Sequence, residues 1–271
     1  SFIIVFREVL EAVLIIGIVA AVAAGFPKLK TLMVSGISLG LLGAFLLALS
    51  AEFLASAAEG MGQEIFNSVV LFLAVMLLTW HLVWMQQHGR ELAQRMRHLG
   101  QAVVQGDRSH WVLVLVIGFA ILREGAEIVL FLQGVAASMQ NQTGVGRQMF
   151  IGGVLGITCG SLLGWLIYKG LLRIPLKYFF TVTGWIILLI AAGMSAQAAK
   201  FLSQAQLLPN LGSGLWDSSG ILSEHSLVGQ VLHTLVGYVA RPDGIQILFY
   251  VTTLLCIGLA MNTMKKKVSE S

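Results

Sequence analysis

Charge is what this sequence has least of. Of its 271 residues only 11% are Asp, Glu, Lys or Arg, against about 25% in soluble domains. With 57% hydrophobic residues and a mean hydropathy of +0.85, the chain cannot clothe a water-facing surface, which leaves an integral membrane protein. Cysteine is nearly missing as well. Cys159 and Cys256 sit in separate apolar runs with no CxxC or CxxCH, which argues against a disulfide framework, a thiol relay and covalent haem; both read as packing residues. No basic leader and no small-residue cleavage site accompany the first apolar run, so no cleavable signal peptide is expected. A pI near 9.2 suggests nucleic acid at first sight, but the basic residues mark one side of a bilayer, and the expected partner is lipid.

What is present is a series of apolar runs near the ~20 residues needed to cross lipid. Seven spans are expected, at roughly 2–24, 32–54, 65–87, 111–137, 148–169, 178–200 and 245–263. Backbone satisfaction in lipid makes them helices, so the fold class is all-α. The positive-inside rule orients them. Placing Lys28, Lys30, Arg90, Arg95, Arg97, Arg108, Lys169, Arg173, Lys177 and Lys265 to Lys267 in the cytoplasm puts 12 of the 17 basic residues on that side, giving an outer N-terminus and an inner C-terminus. The segment 89–110, rich in Arg and Gln, reads as a cytoplasmic helical linker. The segment 201–244 reads as extracytoplasmic. Its stretch 221–240 is apolar enough to tempt an eighth span, but a crossing there would export the triple lysine, so an interfacial or re-entrant helix is expected. The tail 245–271 holds the seventh helix and the basic end.

Inside the first span lies Arg7-Glu8-Val9-Leu10-Glu11, and inside the fourth Arg123-Glu124-Gly125-Ala126-Glu127. The spans that follow match too: Gly36, Gly40 and Gly43 in the second, and Gly152, Gly156, Gly160 and Gly164 in the fifth, a spacing that lets helices approach closely in lipid. The chain therefore divides into a three-helix repeat at 1–88 and a second at 111–200. An odd number of spans per repeat inverts one copy relative to the other, the plan of many transporters. At 1.5 Å per residue Glu8 lies ~10 Å from the outer end of its span and Glu124 ~20 Å from the inner end of its own. In a ~30 Å core both reach the same outer-half depth.

An ionisable side chain at the bilayer centre costs about 2.5–3.5 kcal/mol on insertion scales and is by default a functional hypothesis. Glu8 and Glu11 share a helix face at i, i+3, and Arg7 reaches Glu11 at i, i+4; Arg123, Glu124 and Glu127 repeat the pattern. Four carboxylates against two guanidiniums leave a negative cluster whose members push one another towards protonation. A multivalent cation relieves that strain, and carboxylate oxygen suits a hard one. A single motif would serve equally well as a buried ion-pair lock between helices. Two copies at matched depth favour a metal site.

With these residues in view, the chain resembles the oxidase-dependent iron permease family of fungi and bacteria. The likeness rests on the paired R-E-x-x-E motifs in spans one and four, and extends to "LLTWHLVWM" (77–85) and "LSEHSLVG" (222–229). The family's usual form is close to REGLE, so Val9 and Ala126 depart from it at uncharged positions. The resemblance implies import of iron, as Fe³⁺ supplied by an oxidising partner, across the plasma or bacterial inner membrane. It implies Glu8, Glu11, Glu124 and Glu127 as metal ligands and Arg7 and Arg123 as orienting partners. It also implies an extracytoplasmic partner: an iron oxidase, a haem peroxidase or a periplasmic iron-binding protein. No tightly bound cofactor is expected, iron being the cargo. The compact loops resemble the bacterial members, and some relatives are credited with other metals such as Pb²⁺.

Glu52, Glu59 and Glu64 flank the outer mouth between spans two and three, where clustered acids concentrate cations or simply solvate a loop. Glu224 and His225, with Asp217 and His233, form a candidate outer metal station. His81, towards the inner end of span three, reads first as a packing or hydrogen-bonded residue and second as an acceptor of metal leaving the core. The competing class is a membrane-embedded enzyme. A di-iron centre typically wants Glu-x-x-His pairs, and spans one and four hold none. A lipid phosphatase wants a nucleophile beside its arginines, and none stands at that depth.

Overall fold

The computed structural model describes residues 1–23, 26, 28–57, 62–105, 109, 111–139, 144–170, 176–224 and 226–270. Its regular structure is helical, with no strand among the described residues. Eight helices follow in order among the described residues: α1 (Phe2–Val22), α2 (Leu29–Ala57), α3 (Gln63–Val104), α4 (Trp111–Ser138), α5 (Val145–Tyr168), α6 (Leu176–Gln204), α7 (Leu227–Val236) and α8 (Gly244–Glu270). Five of these are long and apolar enough to cross a membrane: α2, α3, α5, α6 and α8. The other two long helices, α1 and α4, have the length, but each carries the three charges of an R-E-x-x-E motif. Those charges are what set them apart.

One element differs from the sequence expectation. The linker at 89–110 is not a separate helix: α3 runs unbroken from Gln63 to Val104, because Arg, Gln, Glu, Leu and Met after Trp84 are all strong helix formers and no Gly-Pro stop intervenes. The tempting stretch 221–240 contains only the ten residues of α7, about 15 Å of helix, half the hydrocarbon thickness. Ser226 caps its start, accepting from the Gly229 N–H at 3.0 Å, and Gly237 ends it at φ 72°. It does not span.

The chain folds as two compact units, each drawing on both halves of the sequence. The first comprises Ser1–Ala55, His88–Leu132 and Gly144–Pro175. Here α1 lies on the glycine face of α5: a Cβ on Gly156 would come 2.9 Å from the Phe6 nitrogen, and one on Gly160 2.9 Å from the Phe6 oxygen. Meanwhile α4 lies on the glycine face of α2, where a Cβ on Gly36 would meet the Val114 oxygen at 2.9 Å and one on Gly40 the Gly118 oxygen at 2.6 Å. Backbone touches backbone in both seams. Val19, Val103, Leu113, Ile117 and Ile121 close a core beside them.

The second unit comprises Ser56–Gln87, Gln133–Thr143 and Leu176–Ser271. Its axis is α6, with Ile187, Leu188, Ala191, Ala192, Ala198 and Ala199 almost fully buried. The Ser68 hydroxyl of α3 donates to the Ala198 carbonyl at 3.1 Å, and Thr253 of α8 to Ser195 at 2.8 Å.

Apolar side chains face outwards throughout. Phe45, Phe53, Phe150, Leu162, Leu255 and Leu259 are each more than half exposed. In water such a surface would aggregate. In a bilayer it is the solvent-compatible side.

Candidate metal centre

The motif residues all belong to the first unit, which therefore holds their geometry by itself. On α1 the i, i+4 spacing lets Arg7 Nη2 sit 2.9 Å from Glu11 Oε1, while Nη1 lies 3.3 Å from Glu8 Oε1. One guanidinium thus spans both carboxylates and fixes their rotamers. On α4 the same spacing brings Arg123 Nε 3.1 Å from Glu127 Oε1. The two ion pairs differ in setting. Arg7, Glu8 and Glu11 are 3%, 0% and 3% exposed, and Glu124 is 2% exposed, whereas Arg123 and Glu127 are partly accessible.

The two motifs meet. One carboxylate oxygen from each of Glu8, Glu11 and Glu124 lies within 4.8 Å of the others. A Glu127 oxygen also comes within 4.8 Å of one on Glu8, so Glu8 stands at the centre of the set. Oxygens around a hard cation sit about 2.0–2.6 Å from it, so opposite ligands are about 4–5 Å apart. The cluster needs only small adjustments to close on an ion. Its chemistry is fitting as well: Glu124 Oε2 is buried with no hydrogen-bond partner among the described residues. An unsatisfied buried carboxylate oxygen is costly unless a proton or a metal takes it up.

The close helix approach is what permits the meeting. A Cβ on Gly125, between Glu124 and Glu127, would lie 2.5 Å from Ala44 Cβ of α2. The outer face of α4 is thereby pinned while its acidic face turns inwards.

The acids that the sequence reading assigns to the outer side are set apart from this cluster. Glu224 accepts the Ala240 N–H at 2.5 Å. Asp217 pairs with Arg241 at 2.6 Å and accepts from Ser219. Those bonds, the Arg241 one foremost, hold its carboxyl below the usual range. His233 Nδ1 lies 2.7 Å from the Tyr238 carbonyl. These contacts tie the segment after α6 to itself and do not converge on one point. Glu64 is exposed in the first turn of α3, where a carboxylate complements the helix N-terminus. Glu59 and His225 lie outside the described residues, and of Glu52 only the helical backbone is described. His81 is buried on α3 in the second unit. Sequence reasoning missed Gln246, which is buried and accepts the Asp243 N–H at 3.0 Å. A lone Gln at the start of an apolar run gives no signal of this.

The sequence profile of the iron permease FTR1 family matches residues 2–264. The ferrous iron permease EfeU of Escherichia coli O6:H1 is 32% identical over 251 residues, covering 89% of this chain and 87% of that protein. The ferrous iron permease EfeU of Yersinia pestis is 30% identical over 259 residues, covering 94% and 89%. A protein of Escherichia coli strain K12, 32% identical over 251 residues, is named a putative inactive ferrous iron permease EfeU. No solved structure matches the chain.

Proposed function

We propose, from the premise that this chain belongs to the iron permease FTR1 family, that the iron it imports is bound in passage by Glu8, Glu11, Glu124 and Glu127. Membership makes the chain a multi-pass transporter of the bacterial inner membrane, and iron its cargo. The observation that carries the site is the convergence of buried carboxylate oxygens from α1 and α4 within 4.8 Å. Arg7 and Arg123 orient the ligands and offset part of their charge while no metal is bound. The full path has seven spans with the N-terminus outside, since the loops bearing most of the basic residues then face the cytoplasm. The inverted repeat has support in the paired seams: α1 on the glycines of α5 and α4 on those of α2 are counterpart contacts if α4 to α6 repeat α1 to α3.

The ion at the glutamates is Fe³⁺ on this proposal, because a hard, all-carboxylate set favours the more highly charged cation. An extracytoplasmic partner would supply it by oxidising Fe²⁺, the electron passing to that partner's own dioxygen or peroxide. The relatives' names give the second reading, direct uptake of Fe²⁺. Proteoliposomes loaded with no metal test both. Radiolabelled iron should accumulate inside, and Glu8→Gln or Glu124→Gln should abolish it. Accumulation with ascorbate present and none with the oxidised ion would favour the ferrous reading; unchanged uptake in both glutamine variants would remove the site.

A further inference from the structure

The carboxylates sit close to one end of α1, and something has to carry the ion over the rest. Glu8 is ~10 Å from the helix start, whereas Glu11 is ~17 Å from its last residue, Val22, at 1.5 Å per residue. An open-sided cavity of about 470 Å³ occupies that stretch within the first unit. On α1 its wall begins at Val13 and Leu14 and continues through Ile18 and Ala21 to Val22, ~13 Å of helix. Leu14, Ile18 and Ala21 follow Glu11 at i+3, i+7 and i+10, so they extend the stripe on which Glu11 itself stands. Across from them lie Ile167 and Tyr168 of α5 and Gln101 of α3. On α1 Leu14, Ile18 and Val22 are half-buried, while Ala21, Gln101 and Tyr168 are exposed.

We infer that this cavity is the inner vestibule through which the hydrated ion leaves the glutamates for the cytoplasm. The inference rests on the permease function proposed above and on its orientation. Its volume holds on the order of ten waters, so an ion leaving the carboxylates exchanges them for water. The residues that line it include no carboxylate, thiol or imidazole. Passage requires a site that binds well enough to enter and a route that binds too weakly to retain, and the two lie end to end on α1. An apolar neck at Leu14 can close by dewetting when no ion is passing. The competing occupant of such a space is a lipid acyl chain.

Thiol chemistry separates the two. In a chain with Cys159→Ser and Cys256→Ser, both exposed thiols in the native protein, Ile18→Cys and Ala21→Cys are introduced singly. Each is treated from the cytoplasmic side with a charged methanethiosulfonate reagent. Both positions should react, and radiolabelled iron uptake should fall about tenfold relative to the same variant untreated, since a blocked exit limits turnover. Metal bound by the detergent-solubilised protein should stay within about twofold, because the first coordination sphere is untouched. Reaction with a lipophilic maleimide but not with the charged reagent would overturn the inference in favour of an acyl chain. Full labelling with uptake unchanged would overturn it in favour of another exit. If the parent with Cys159→Ser and Cys256→Ser binds metal at the glutamates yet takes up none, the permease function fails and the vestibule falls with it.

Discussion

Arg7 holds two glutamates with one guanidinium in a place where every charge is costly. Removing one member of a buried pair strands the others, so Arg7→Met should destabilise the folded protein by about 3–5 kcal/mol, read as thermal unfolding in detergent. Replacing Arg7 and Glu11 together by Met and Gln should recover most of that loss, the non-additivity marking a coupled group. Asp217 makes a different prediction. Its carboxyl is held below the ordinary value by Arg241 and Ser219, so the pair contributes above about pH 4 and the contribution is lost only as pH falls through the depressed value. Asp217→Asn should therefore speed amide exchange at Ser219, whose N–H donates to Asp217 at 2.9 Å, at neutral pH. The difference from the native chain should vanish in strong acid. The motif acids were legible in the sequence because charge inside an apolar run is conspicuous. That Glu224 belongs to the Ala240 N–H was not, since the two stand sixteen positions apart with α7 between them and no period links them.

Helices α1 and α5, like α4 and α2, meet where one partner has no side chain. A larger residue there must push two backbones apart. Gly160→Leu and Gly40→Leu should each cost about 1–3 kcal/mol or more from overpacking, seen as lost folded protein on size-exclusion after extraction. Gly153 is the control, since a Cβ there meets nothing within 4 Å; Gly153→Ala should be tolerated. The five helices that are long and apolar enough to cross a membrane were readable from hydropathy to within a few residues. Their joins were less so. The polar stretch after Trp84 looks like a linker by composition, yet its residues favour helix and prolong α3 to Val104.

At the scale of the whole molecule, the loop charges predict orientation. A reporter that is active only outside the cytoplasm should be silent when fused after Ser271, and active when inserted after Gly214, in the segment that follows α6. The reverse pattern would invert the proposed topology. Sequence order suggested blocks of three helices at 1–88 and 111–200. The compact units combine helices from both blocks, a grouping that depends on which helix faces touch. Periodicity shows that a face exists without naming the face opposite.

Glu8 has no accessible surface, and Glu11 and Glu124 have almost none. A hexadentate chelator is far larger than the ion it seeks, so it cannot grasp an ion seated there. Stripping a loaded protein should therefore proceed at a rate independent of chelator concentration, paced by the protein's own opening. That plateau would report the gate's frequency directly, without any flux across a membrane.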